Sequence, residues 1–205
     1  MSKENKSVDP SEMDVSELPD LPVFQDEFTR DFIESTEQTH EGYFPFVSGT
    51  GAYRMEFPGD MIIGEKSYNI GPENRSETIV IQYPTDSIND QNAFINMRVN
   101  YFSTQLSVEK SKEQMATSSN RELEFKKIES NFDQQKLEVA EYVDDSILVL
   151  APIIWSDDGQ VMQINTTINC KENVPENKCS ESIKEQKEKA LEMLKSMHFI
   201  TDESE

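Results

Sequence analysis

Residues 93–102 read Ala-Phe-Ile-Asn-Met-Arg-Val-Asn-Tyr-Phe, and this stretch constrains the fold more tightly than any other. Ile95, Met97, Val99 and Tyr101 alternate with Asn96, Arg98 and Asn100. Successive side chains of an extended chain point to opposite faces, so the period of two predicts a strand with one dry and one wet face.

Further strands follow from the same logic. Tyr53, Met55 and Phe57 fall on one face and Arg54 and Glu56 on the other, before Pro58-Gly59-Asp60 turns the chain. Thr78–Tyr83 is β-branched and nearly continuous, as in a strand buried on both faces. Glu122–Glu129 and Lys136–Val143 read as two strands about Asn131-Phe132-Asp133. Ile147–Trp155 and Gln160–Asn169 form the clearest hairpin, because the Asp158-Gly159 step between them suits positive φ.

Three helices are expected beside the strands. Phe24, Phe28 and Phe32 recur every four residues and predict a helix over about 22–38, with Asp20 as cap, Pro22 in its first turn and Gly42 beyond its end. Residues 106–120 lack alternation and are rich in helix formers. Near 182–197, Ser182 and Glu185 have capping-box spacing, and Ile183, Ala190, Leu191, Leu194 and Met197 form an apolar stripe. Hairpin-linked strands with few crossovers define an α+β class, an antiparallel β-sheet flanked by helices. This single domain is expected over 22–200. Residues 1–21 read as a flexible acidic tether and 201–205 as an acidic tail, since neither carries enough apolar surface to offset the entropy of ordering.

Charge removes whole classes of function. The 205 residues carry a net −21, from 40 acidic against 19 basic side chains. Such a field repels a phosphate backbone and disfavours direct docking on anionic lipid, so nucleic acid is excluded as a partner. No apolar run approaches the roughly 20 residues that span a bilayer, and no charged-then-apolar leader opens the sequence. A cytosolic protein fits this, as does an exported one whose leader has been removed.

The sequence carries no recognisable motif for catalysis, a cofactor or a metal, so no catalytic, cofactor-binding or metal residue is assigned. His40 and His198 have no partner at fixed spacing, and Ser48-Gly49-Thr50-Gly51 lacks the pattern of a nucleophile elbow or a phosphate loop. The acidic stretch Asp86–Asn92 has Ile88 where a calcium loop needs an oxygen ligand. Cys170 and Cys179 bracket a short loop; they form a disulfide in an oxidising compartment and remain two thiols in the cytosol. Trp155, the sole tryptophan, sits by the hairpin tip with Asp157 and Asp158, either as a partner contact or folded back over the sheet. The Phe24, Phe28 and Phe32 stripe either packs on the domain or is presented to a partner groove.

Two sets of residues carry a family resemblance. The order from Tyr53–Pro58 to a final helix running into Ser196-Met197-His198-Phe199-Ile200 resembles the Mog1/PsbP-like fold. Asp26-Glu-Phe-Thr-Arg-Asp-Phe, Glu41-Gly-Tyr and Tyr53-Arg-Met-Glu-Phe-Pro resemble a family of Bacillus-type surface lipoproteins, over roughly 24–200. In that family a lipidated cysteine precedes a polar tether and one such domain. No such cysteine stands in residues 1–21, so the anchor is an implication of the resemblance alone. The expected role is a non-catalytic extracytoplasmic binding or accessory domain, lipid-anchored to a Gram-positive cell membrane. Its partner would be a protein or envelope polymer, and it would touch the membrane only through the anchor. The rival readings are a cytosolic adaptor using the Phe24/Phe28/Phe32 helix and a hydrolase without a recognisable motif.

Overall fold

The computed structural model describes residues 9–87, 91–103 and 107–200. After two 3₁₀ turns at Pro10–Glu12 and Val15–Glu17, the chain forms two single helical turns, α1 (Pro22–Gln25) and α2 (Glu27–Arg30). Strands β1 (Tyr43–Val47), β2 (Tyr53–Pro58), β3 (Ile62–Ile63), β4 (Asn69–Ile70), β5 (Ser76–Gln82) and β6 (Ala93–Phe102) follow. Helix α3 (Val108–Ser119) leads to β7 (Lys126–Ile128), β8 (Gln135–Asp144), β9 (Ile147–Ser156) and β10 (Val161–Cys170). Helix α4 (Glu176–Ser196) and β11 (His198–Phe199) complete it.

The strands form two antiparallel sheets. The small one runs β1-β2-β11, and the large one runs β3-β5-β6-β10-β9-β8-β7 with β4 also pairing β5. Helix α4 packs on β2 of the small sheet and on β6 and β10 of the large one. Ala190, Met193 and Leu194 are buried there against Ile95, Met97, Ile164 and Ile168. Each large side chain so buried contributes about 1.5–3 kcal/mol. On the other face of the large sheet, α3 packs on β9 and β10 and covers a smaller cluster of Met115, Ala140, Ala151, Ile153 and Val161. This is the α+β antiparallel sheet flanked by helices that the patterning predicts.

The helix expected at 22–38 is absent. Asp26 adopts extended backbone (φ −83°, ψ 113°), and its carboxylate accepts from the Thr29 N–H at 2.8 Å, so the chain breaks and restarts there. The Thr29 hydroxyl oxygen in turn accepts from the Ile63 N–H, which fixes this kink to β3. Helix α4 begins at Glu176 behind Pro175, ahead of the expected cap at Ser182. The tether also ends earlier than residue 21. Pro10 and Leu18 are buried, and Met13 and Leu21 pack against the main core. Residues 1–8 of the tether and the tail 201–205 lie outside the described residues, as do 88–90 of the Asp86–Asn92 stretch.

Candidate functional site

The predicted partner residues do not come together. Phe24 and Phe32 are 0% and 5% exposed, within the main core. Phe28 is half-buried, edge-on to Phe32 and Tyr68. These rings are core, not an offered helix face. Trp155 lies half-buried on β9 beside the small cluster beneath α3, with the Lys112 ammonium 5.4 Å from its ring. Asp157 and Asp158 are exposed at the hairpin tip, where Lys136 pairs with Asp157 at 3.0 Å. Cys170 and Cys179 are joined in a disulfide, Cα–Cα 5.7 Å, which ties the end of β10 to the first turns of α4.

One residue missed in the sequence organises a polar centre. Glu77 of β5 is buried and accepts from the Gly49 N–H (2.8 Å) and the Thr50 hydroxyl (2.8 Å). Burial, reinforced by the nearby Glu77 carboxylate, pushes the Tyr68 phenol up to about 12. Tyr53 is fully buried, and its hydroxyl has no hydrogen-bond partner among the described residues. Desolvation holds that phenol well above its ordinary value. The Ser48–Gly51 turn thus serves as a cradle for a buried carboxylate.

An open groove of about 700 Å³ runs beside α4. Glu41, Asp60, Glu185, Glu188 and Glu192 line it against a single cation, Lys189. That cation is already paired with Asp60 and lies 3.1 Å from the Tyr83 hydroxyl. At one wall His40 stands between Glu56 (3.2 Å) and Glu192 (3.1 Å), and the Tyr43 hydroxyl donates to Glu192. Nearby, a recess of about 190 Å³ is lined by Arg54, paired with Glu34, and by Phe132 stacked on His198. Among the described residues no group of three or more His, Cys, Asp or Glu side chains is placed to hold a metal ion. No described helix is long and apolar enough to cross a membrane.

The outer face of the large sheet differs from all of this. Three rows cross β5, β6 and β10 in register: Gln82–Asn96–Thr167, Val80–Arg98–Asn165 and Thr78–Asn100–Gln163. None of these side chains is a carboxylate. Where the face meets α3, a recess of about 120 Å³ is lined by Asn100, Ser118, Ser119, Gln163 and Asn165 over Met115 and Ala151.

Two antiparallel sheets bridged by one helix, with a second helix on the far face, define a sheet-and-helix sandwich of the Mog1-like type. Residues 19–198 match the model of the family described as "Putative lipoprotein YvcA", and the chain belongs to that family. It is 24% identical over 213 residues to the protein of that name from Bacillus subtilis (strain 168). The alignment takes in 98% of this chain and 86% of that protein. The sequence resemblance to a Bacillus-type lipoprotein family with a Mog1-like domain therefore holds.

Proposed function

We propose that this chain is the extracytoplasmic domain of a lipid-anchored envelope protein that works by binding and not by catalysis. The observation that carries the reading is the match of residues 19–198 to a family described as a lipoprotein. The Cys170–Cys179 disulfide supports it, because such bonds persist in oxidising compartments and are rare in the cytosol.

The native gene expressed in its own cell provides the test, through metabolic labelling with a clickable fatty acid, membrane fractionation and maleimide-PEG modification. The expected protein is labelled, sediments with membranes, and exposes its two cysteines only after reduction. An unlabelled cytosolic protein with both thiols reactive would overturn the reading.

A further inference from the structure

We propose that the outer face of the large sheet, where β5, β6 and β10 meet α3, is a binding site for an uncharged glycan chain. The proposal rests on the binding-domain reading above and supplies its ligand class. Acidic residues make up 40 of 205 positions, yet the three rows across this face hold none. Arg98, exposed in the middle row, forms no ion pair among the described residues. Its row partners are Val80, which is buried, and Asn165, and the rows on either side hold amides and hydroxyls.

Those amides are already oriented. The Thr78 hydroxyl donates to Asn100 Oδ1 (3.0 Å), and Asn96 Nδ2 donates to Gln82 Oε1 (3.3 Å). Asn100 Nδ2 donates to the Gln163 carbonyl (3.4 Å), and Gln163 Nε2 to Gln114 Oε1 (3.3 Å). A carboxamide offers two N–H groups and two acceptor lone pairs, so each keeps capacity unspent. Neighbouring strands lie about 4.8 Å apart, which sets these groups on a grid near the size of a sugar ring. Groups fixed before binding lose little entropy on association. The recess under α3 adds an apolar floor, Met115 and Ala151, beneath Ser118, Ser119 and Asn165.

Charge and polarity choose among occupants. A polyanion is repelled at long range by the net −21. A cationic peptide finds five carboxylates lining the α4 groove, against Glu113 alone in the cleft that Gln163 and Ser118 share with α3. A protein partner needs an apolar anchor, and among the described residues the exposed large apolar ones, Val15, Phe132 and Val143, are all elsewhere. A neutral chain bearing hydroxyls and acetamido groups fits what remains.

The disulfide-bonded protein is titrated with tetra-N-acetylchitotetraose and followed by ¹⁵N NMR. The expected result is saturable shifts of the Asn96, Asn100 and Gln163 side-chain amides, weakened by about tenfold in Asn100→Ala/Gln163→Ala. Arg98→Glu, at an exposed position, gives a second variant that keeps the fold and is expected to weaken binding by several fold. Shifts centred on the Glu41–Glu188 groove, no saturable shifts, binding unaffected by these variants, or tighter binding of polyglycerol phosphate would each overturn the site. A lipid-anchored protein without glycan shifts fails this proposal alone, whereas a cytosolic protein with free thiols fails the anchoring reading and leaves the titration standing.

Discussion

The backbone N–H of Gly49 donates to Glu77 Oε1 at 2.8 Å, and that carboxylate is 1% exposed. A Cβ added at Gly49 would lie 1.9 Å from the Tyr68 hydroxyl oxygen, so the glycine is required by close approach. Gly49→Ala must displace Tyr68, at a cost of about 1–3 kcal/mol. Glu77→Ala leaves the Gly49 N–H and the Thr50 hydroxyl without an acceptor, at about 1–3 kcal/mol for each donor. Urea unfolding of both variants checks this: equal midpoints for wild type and Glu77→Ala would refute the cradle.

Phe24 is fully buried and meets Phe44 edge-on, ring centroids 4.7 Å apart. Phe24→Ala is expected to cost about 3–5 kcal/mol. A partner-presenting helix would instead lose its ring with the melting transition intact, so a thermal melt separates the two.

The Cys170–Cys179 bond closes a ring across a sequence separation of nine residues. By chain entropy such a crosslink stabilises by about 2–3 kcal/mol. Cys170→Ser/Cys179→Ser should then lower Tm by about 5–10 °C. Calorimetry of the variant and of the reduced wild type should agree; an unchanged Tm in both would show that the ring adds nothing.

Stability should fall in alkali. Burial, helped by Glu77, pushes Tyr68 up to about 12, and burial also raises Tyr53, Tyr83 and Tyr101. The fold therefore favours the neutral phenols. That contribution is complete below the ordinary tyrosine value near 10 and drains away as pH climbs through the raised values. Urea midpoints should hold on the neutral side and drop once pH exceeds about 10, in step with tyrosinate absorbance. Phenols that ionise near 10 without loss of stability would contradict it.

Much of the large sheet was legible because one of its faces is dry. Alternation placed β6 at Ala93–Phe102 with both ends correct, and Asp158-Gly159 marked the β9–β10 hairpin, where Gly159 has φ +87°. β1 was missed because Pro45 cannot donate to a ladder; β1 is an edge strand of its sheet, and on the side away from β2 it meets an isolated bridge at Ile33, where the Pro45 carbonyl accepts from the Glu34 N–H. The phenylalanine stripe misled because two turns broken at Asp26 bury the same side chains as one helix. The start of α4 was signalled by Pro175-Glu176, but the capping-box spacing at Ser182 competed with it. Glu77 left no trace, since a single acid beside Thr78–Tyr83 looks like a strand boundary until the Ser48–Gly51 turn folds over it.

The covalent ring also governs how the domain responds to cutting. Lys171, at the start of the β10–α4 connection, and Lys178, exposed in the first turn of α4, both fall between the two cysteines. A tryptic nick at either lysine leaves two polypeptides still linked, so the band on a non-reducing gel stays whole and separates only when thiol is added. Scission there would release neither the β10 strand nor the α4 helix from the body it helps to hold.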